Sequence, residues 1–261
     1  MKIIHQIWFD FGNGRFPSEK QVTTDFIARK NPNYEYMFWD LESAIKLTRK
    51  HYPKYCNFLM QDTNRNIIKC DFFRYVLMLH FGGFYFDLDF IVLQNLDNTP
   101  FIQSNSIVLT EECYKSRETH QSLHNGFLYS KTPGHIFWKN MCDEIVDRNP
   151  EVYSNISEAQ VYELTGTKYL CEKWRNCQKE ISLQIAILPF HILCNHWFVS
   201  KGDNYEKHFY TTDNERKTIA RPGCSWTFLN LDDVINYERT LVRHHAVAIC
   251  AILPHGSFWK T

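Results

Sequence analysis

Hydrophobic and polar positions follow two different periods along the first 150 residues. Runs with period two that are rich in β-branched and aromatic residues predict strands, and apolar positions three and four apart predict helices. The predicted strands are KIIHQIWF, YEYMFW, FYFDLDFIVL, SIVLTEE and HNGFLYS. Predicted helices begin near Ser18, Asp40 and Asn64, and a further helix covers IFWKNMCDEIVDR. Alternating strands and helices indicate an α/β fold with a central, mostly parallel sheet flanked by helices.

The second half of the chain is less regular. SLQIAILPF and LVRHHAVAICAIL predict two late strands, whereas the polar stretch 195–225 predicts an excursion over the surface. The 261 residues contain no repeat, low-complexity tract or linker. We therefore expect a single domain over residues 1–261.

Composition narrows the classes of function. The 29 basic and 29 acidic residues balance, so the electrostatic footprint of a nucleic-acid binder is missing. Nine cysteines without a Cys-x-x-Cys pair give no support for structural zinc and favour a reducing compartment. No apolar window reaches the length of a membrane span, and the N-terminus lacks a signal-peptide pattern. We expect a cytoplasmic protein with no membrane span.

The segment GGFYFDLDF carries two carboxylates inside an apolar run. Asp87 and Asp89 lie two residues apart, so a continuous strand would point both to one face. Because unpaired buried carboxylates are costly, we expect a hard divalent cation such as Mn²⁺ or Mg²⁺ to neutralise them. A strand emerging into water is the alternative. A metal-dependent phosphohydrolase is a third, but such enzymes usually carry this motif directly after the first strand.

A second charged pair precedes this motif. Asp71 and Arg74 lie three apart on a predicted helix and therefore share a face. They could form an ordinary helix ion pair, which contributes little to stability. The helix, however, leads through the glycine pair 82–83 directly into the strand with Asp87 and Asp89. All four groups can then converge at the carboxyl end of the strand, where open α/β sheets bind ligands.

Four ordered motifs resemble the DXD-containing sugar transferases of glycosyltransferase family 32, whose core is similar to that of large glucosylating toxins. They are KIIHQIW, NPNYEYMFWD, KCDFFRYVLMLHFGGFYFDLDF and HNGFLYSKTPGH. LTGT at 164–167 resembles the Leu-Thr-Gly-Pro of the family with Thr167 in place of proline. HGSFW at 255–259 resembles its terminal His…Gly-Ser-Trp, with Phe258 inserted.

The resemblance implies a fold of the GT-A type and a retaining hexosyltransferase. The donor would be a UDP- or GDP-linked sugar with Mn²⁺ or Mg²⁺ as cofactor, and the acceptor a glycan or a lipid- or protein-linked hydroxyl. Residues 1–110 would bind the nucleotide and metal, whereas 111–261 would form the acceptor side and a C-terminal closing segment. A catalytically inactive protein that binds nucleotide sugars or glycans is the alternative.

Roles of individual residues also follow from the resemblance. Asp71 and Arg74 would bind the donor sugar and diphosphate, with Asn125 nearby, whereas Asp87 would contact ribose or metal and Asp89 the metal. Ile7 and Trp8 end the first strand where the nucleotide base would lie, and Trp8 can stack on it. Asp40 would contact the nucleoside or cap a helix. His5 and Gln6 are expected to hold local backbone.

The C-terminal residues complete the implied site. His255 is the expected third metal ligand, with His244, His245 and Asn125 as alternatives. Ser257 and Trp259 would bind the leaving phosphate. We expect residues 255–261 to order over the diphosphate when donor and metal bind.

Overall fold

The computed structural model describes residues 2–10, 16, 18–62, 64–88, 90–92, 95–111, 123–188 and 250–252. Its strands are β1 (Ile3–Ile7), β2 (Glu35–Trp39), β3 (Gly83–Phe86), β4 (Phe90–Val92), β5 (Ile107–Glu111), β6 (Leu123–Ser130), β7 (Ile185–Leu188) and β8 (Cys250–Ile252). Its helices are α1 (Ser18–Lys30), α2 (Leu41–His51), α3 (Pro53–Met60), α4 (Asn66–His80), α5 (Pro100–Gln103), α6 (Ile136–Asp147), α7 (Glu158–Leu164), α8 (Thr167–Asn176) and α9 (Lys179–Ser182). Two short 3₁₀ helices cover Leu96–Asn98 and Pro150–Tyr153.

Six of the described strands form one sheet in the order β2-β1-β3-β6-β5-β7. The pairs β1–β2, β1–β3 and β5–β7 are parallel, whereas β6 runs antiparallel to β3 and β5. The predicted α/β class, with a central and mostly parallel sheet flanked by helices, is confirmed. Strands β4 and β8 pair antiparallel in a second, small sheet.

Period-two alternation sends side chains of the central strands to two separate cores. In β3, Phe84 and Phe86 join the core on one face, and Tyr85 joins the core on the other. In β6, Phe127 and Leu128 divide in the same way. Helix α4 is buried over almost its whole length against the face that contains Tyr85. The central position of α4 brings its polar residues inside the protein.

Local signals fix the helix ends as the sequence predicts. Asp40 caps α2, and its Oδ1 accepts hydrogen bonds from the Ser43 backbone N–H at 2.7 Å and the Ser43 hydroxyl at 2.6 Å. Helix α4 ends at His80, and Gly82 follows its C-cap with a φ of 68° and donates its N–H to the Leu77 carbonyl at 3.2 Å. Glycine adopts this left-handed conformation without steric cost. The turn that leads into β3 therefore depends on Gly82.

Two buried polar residues of β1 hold the backbone on either side of β3. Trp39 donates its indole N–H to His5 Nδ1 at 3.2 Å, so the neutral ring carries its proton on Nε2 and donates it to the Gly82 carbonyl at 3.0 Å. Gln6 donates its amide N–H to the Asp87 carbonyl at 3.1 Å. Both residues thus hold local backbone, as expected.

The sequence prediction of one continuous strand through Asp87 is wrong. Pairing with β6 ends at Phe86, and the chain then turns, with the Phe90 N–H donating to the Asp87 carbonyl at 3.1 Å. Strand β4 begins after this turn and pairs with β8 instead. The alternation argument for a shared face of Asp87 and Asp89 therefore does not apply, and Asp89 lies outside the described residues.

Much of the segment 150–180 is helical, and the sequence analysis predicted no element there. Helices α7, α8 and α9 and a 3₁₀ helix occupy it. Thr167 is the first residue of α8, directly after its N-cap Gly166. Proline is favoured at this helical position, which explains how the family's Leu-Thr-Gly-Pro and the LTGT of this chain suit the same turn.

Candidate functional site

The centre of the site is an ion pair buried on one face of α4. Arg74 Nη2 lies 3.1 Å from Asp71 Oδ1, and each side chain is only 5% exposed. An ordinary surface pair would be largely solvated, so its burial distinguishes this one. The i,i+3 spacing, read from the sequence, is confirmed as a direct contact.

Strand β6 contributes the next residue. Asn125 donates its side-chain amide to Asp71 Oδ1 at 3.0 Å, and its backbone carbonyl accepts from Arg74 Nη1 at 2.8 Å. Asn125 therefore contacts both members of the pair. The structure brings together these three residues as the sequence analysis expected.

Asp87 is the more open carboxylate of the group. Its Oδ1 lies 3.3 Å from Arg74 Nη1 and accepts a 2.6 Å hydrogen bond from the Tyr85 hydroxyl, while the side chain stays 30% exposed. The Arg74 guanidinium also lies over the Tyr85 ring, 5.1 Å from its centre. Tyr85, which the sequence analysis did not single out, thus fixes one oxygen of Asp87.

The second oxygen of Asp87 lies against a glycine. A Cβ on Gly126 would be 2.5 Å from Asp87 Oδ2 and 2.6 Å from His124 Cε1. This oxygen makes no hydrogen bond among the described residues. A carboxylate oxygen without a hydrogen-bond partner among these residues is a suitable ligand for a hard divalent cation. The described residues include no group of three or more potential metal ligands, but Asp89 and the C-terminal candidates lie outside them.

Burial and charge shift the proton affinities in the group. Burial raises the pKa of Asp71 to about 6, against the opposing effect of Arg74. Burial alone would lower the pKa of Arg74, but its neighbours, above all the Asp87 carboxylate and then Tyr85 and Asp71, hold it well above its ordinary value. Arg74 stays charged, yet its Nε is buried without a hydrogen-bond partner among the described residues. Such an unsatisfied buried donor is uncommon in folded proteins.

The turn between α7 and α8 contacts the buried ion pair through Asp71. Thr165 donates its hydroxyl to Asp71 Oδ2 at 3.1 Å, and its carbonyl accepts from the Tyr75 hydroxyl at 2.8 Å. A Cβ on Gly166 would also lie 3.4 Å from Asp71 Oδ2. The sequence analysis assigned these residues no role, although LTGT was the one signal that could have found them.

An aromatic group lies at the ends of β1 and β2. The ring of Phe16 packs edge-on against Trp8 at 5.8 Å and against Phe38 at 5.1 Å, and Phe38 is 40% exposed. The Ile7 side chain is buried in the core and offers no side-chain contact to a ligand. Asp40 caps α2, and these hydrogen bonds from Ser43 lower its pKa.

Four predicted site residues lie outside the described part of the chain, namely Asp89, His255, Ser257 and Trp259. The alternatives His244 and His245 also lie outside it. Strand β4 directly follows Asp89, and β8 is the described segment nearest in sequence to residues 255–261. In this pair of strands, Ile252 is opposite Phe90 and Cys250 is opposite Val92. Strand β8 therefore ends opposite the residue that follows Asp89.

Comparison with known proteins agrees with the resemblance. Residues 17–109 match a family model described as the glycosyltransferase sugar-binding region containing the DXD motif. This segment begins at the start of α1, ends in β5, and includes Asp71, Arg74, Asp87 and Asp89. The resemblance to DXD-containing glycosyltransferases is therefore confirmed for this part of the chain.

Named relatives match a segment of similar length. Inositol phosphoceramide mannosyltransferase 2 of Schizosaccharomyces pombe is 30% identical over 97 residues, or 37% of this chain and 27% of that protein. Inositol phosphoceramide mannosyltransferase 3 of the same yeast is 33% identical over 98 residues, or 37% and 26%. The chain thus spans about a quarter of the length of these curated relatives. The solved PaToxG glycosyltransferase is 16% identical and covers 70% of this chain and 72% of its own, with a TM-score of 0.46.

Proposed function

We propose that the protein is a metal-dependent, retaining glycosyltransferase of the GT-A type. It moves a hexose from a UDP- or GDP-linked donor to a hydroxyl of a glycan, or of a lipid- or protein-linked acceptor. The observation that carries this proposal is the buried group of Asp71, Arg74 and Asn125 next to the more open Asp87. The match of residues 17–109 to the DXD-containing family supports it.

Arg74 is proposed to hold donor oxygens, because its guanidinium stays charged and its buried Nε has a free N–H. The rigid fork of an arginine suits paired oxygens of a sugar or diphosphate. Asn125 and Asp71 fix the direction of that fork through the contacts described above. Trp8, beside the half-exposed Phe38, offers a flat face for the base.

Asp87, Asp89 and His255 are proposed to hold the cation, with Asp87 Oδ2 as the described ligand atom. A divalent cation bound there would supply Lewis-acid stabilisation of the negative charge on the leaving diphosphate. Tyr85 keeps Asp87 Oδ1 engaged and so leaves Oδ2 for the cation. Gly126 allows Asp87 to keep this position, since a Cβ at residue 126 would collide with Oδ2.

The proposed reaction needs no nucleophile from the protein. The acceptor oxygen attacks the anomeric carbon on the face from which the diphosphate departs, and a phosphate oxygen takes the acceptor proton. The residues of the chain then hold the reactants in position and stabilise the charge that develops during the reaction. Retention of configuration follows from attack on that same face.

Residues 255–261 are proposed to close over the diphosphate, with Ser257 and Trp259 in contact with it. The pairing of β8 with β4 supports this proposal, since β8 ends opposite Phe90. In this scheme residues 1–110 form the donor half and 111–261 the acceptor half of one domain. Among the described residues no helix is both long and apolar enough to cross a bilayer. The cytoplasmic location stays a prediction.

A donor screen tests the proposal. The purified protein is incubated with Mn²⁺ and a panel of UDP- and GDP-sugars, and release of nucleoside diphosphate and the shift in melting temperature are measured. GDP-mannose comes first, because the two named relatives are mannosyltransferases. We expect one donor to stabilise the protein only with Mn²⁺ and to be slowly hydrolysed. Asp87→Asn should abolish both effects, and Asp147→Asn, at an exposed ion pair with Lys54, should retain them.

Each outcome has a defined meaning. If no donor changes the melting temperature or is turned over, the proposed function is wrong. If donor and Mn²⁺ stabilise the protein but no sugar is ever released or transferred, the chain is an inactive nucleotide-sugar binder. If Asp87→Asn behaved like the wild type, the cation would not bind at this site.

A further inference from the structure

We infer that the turn between α7 and α8 is a positioning element of the donor site, in which the Thr165 hydroxyl fixes the Asp71 carboxylate and thereby the Arg74 guanidinium. This inference rests on the proposed function. It assigns a task to a turn that is 94 residues away from Asp71 in sequence. The Thr165 hydrogen bond also links the acceptor half of the chain to the donor half, in addition to the bonds made by Asn125.

The first step concerns the hydrogen-bond partners of the Asp71 carboxylate. Oδ1 accepts from Arg74 and Asn125, and Oδ2 accepts from Thr165. The residue is only 4% exposed, so protein atoms surround both oxygens. Asp71 therefore acts on a ligand through Arg74, and whatever orients Asp71 orients Arg74.

The second step is the rigidity of Thr165. Thr165 is fully buried, and its backbone N–H donates to the Val161 carbonyl at 3.1 Å. The Thr165 carbonyl accepts a 2.8 Å hydrogen bond from the hydroxyl of Tyr75, which is the residue next to Arg74 on α4. The turn is thus tied to α4 at two points, through Asp71 and Tyr75.

The third step is the direction of the hydroxyl proton. Thr165 Oγ1 lies 3.1 Å from Asp71 Oδ2 and 3.4 Å from the Val161 carbonyl. The shorter distance and the negative charge both favour the carboxylate, because hydrogen bonds to ionised acceptors are the stronger ones. Gly166 leaves the carboxylate undisturbed, since even a side-chain Cβ at this position would only reach van der Waals contact with Oδ2, at 3.4 Å.

Without this hydrogen bond the Asp71 carboxylate can rotate, and Arg74 loses its fixed partner. Small displacements of a positioning group reduce turnover much more than they reduce binding of the remote part of a substrate. We therefore expect Thr165→Val, which keeps the shape of the side chain, to lower turnover about tenfold or more. Affinity for the nucleoside without its diphosphate should change less than about twofold, because the base lies away from Arg74.

The experiment compares four variants in donor hydrolysis and transfer. Thr165→Val removes the hydroxyl, Thr165→Ser restores it, and Thr165→Ala replaces Val if that variant does not fold. Thr167→Val is the matched control, because Thr167 is in the same turn and its hydroxyl makes no hydrogen bond among the described residues. A double-mutant cycle adds Thr165→Val to Asp71→Asn and measures residual turnover.

The inference expects a low rate in Thr165→Val, recovery in Thr165→Ser and a normal rate in Thr167→Val. It also expects little further loss when Thr165→Val is added to Asp71→Asn, because both changes break one chain of contacts. If Thr165→Val behaves like Thr167→Val, or if its effect is fully additive with Asp71→Asn, the inference is wrong. A wild-type protein that binds and turns over no donor contradicts the proposed function instead.

Discussion

Two buried polar clusters lie next to the same helix, and they differ in how completely their groups are satisfied. The neutral cluster consists of His5, Trp39 and Gly82, and both ring nitrogens of His5 have partners. The charged cluster consists of Asp71, Arg74, Asp87 and Asn125. In it Arg74 Nε lacks a partner among the described residues, and Asp87 Oδ2, beside Gly126, makes no hydrogen bond to them.

The comparison separates a structural task from a binding task. A closed neutral cluster gains nothing from a ligand, because every group already has its hydrogen bond. A charged cluster with free donors and acceptors is incomplete without one. We therefore expect damage to the neutral cluster to lower stability, and damage to the charged cluster to lower turnover.

His5→Phe should give the largest effect. The substitution leaves the Trp39 indole N–H and the Gly82 carbonyl unsatisfied in the core, and each such group costs about 1–3 kcal/mol. The free energy of unfolding should fall by about 2–6 kcal/mol in urea titrations. His51→Phe, at an exposed histidine, should stay within about 0.5 kcal/mol of the wild type. A His5→Phe variant with unchanged stability would remove the structural task from the neutral cluster.

Gly126→Ala should reverse this pattern. Its Cβ would collide with Asp87 Oδ2 and His124, and displacing a positioned group by about 1 Å costs about a hundredfold in rate. Turnover of the identified donor should fall about that much. Gly134→Ala is the control. Gly134 has a positive φ, 78°, but a Cβ added there would have no described atom within 4 Å. Gly134→Ala should cost about 1–2 kcal/mol of stability and leave turnover normal, and equal rates in both variants would contradict the crowding argument.

Arg74→Lys should have a smaller effect on turnover. Lysine keeps the charge but loses the planar fork that contacts Asp71, Asp87 and Asn125 together. We expect turnover to fall at least about tenfold, with little change in melting temperature. The surface variant Arg49→Lys provides the comparison. If Arg74→Lys turned over donor at the wild-type rate, Arg74 would be no more than the partner of Asp71.

The sequence predicted those features that depend on neighbouring residues. The i,i+3 contact of Asp71 with Arg74, the cap at Asp40 and the end of α4 before Gly82 are all local, and each is confirmed. The approach of α4 to Asp87 could also be predicted, because only a glycine turn and one short strand separate them.

The missed features depend on distant partners. The apolar run after Gly83 reads as one strand, and its break at Asp87 comes from β4 pairing with β8 at the other end of the chain. Helix α7 is short and polar, so its periodicity is weak. The contact of Thr165 with Asp71 spans 94 residues and has no local signal.

The smallest expected effect is the combined pH dependence of the two clusters. Burial lowers the pKa of His5 to about 4 and raises that of Asp71 to about 6. For His5, the unfolded state binds the proton first as pH falls, so its contribution to stability is lost between about pH 6.5 and 4. For Asp71, the unfolded state loses the proton first as pH rises, so its contribution is lost between about pH 4 and 6. The two slopes oppose each other over the same interval.

Variants should expose the two slopes that offset each other in the wild type. In Asp71→Asn the His5 slope is no longer offset by that of Asp71, and the free energy of unfolding should rise with pH between about 4 and 6 by up to about 1.4 kcal/mol per pH unit more than in the wild type. In His5→Phe the Asp71 slope is no longer offset by that of His5, and stability should fall over that interval relative to the wild type. Urea titrations at four pH values measure both. Parallel curves for wild type and both variants would mean that neither group changes its proton affinity on folding, and the contrast between a neutral and a charged cluster would then rest on turnover alone.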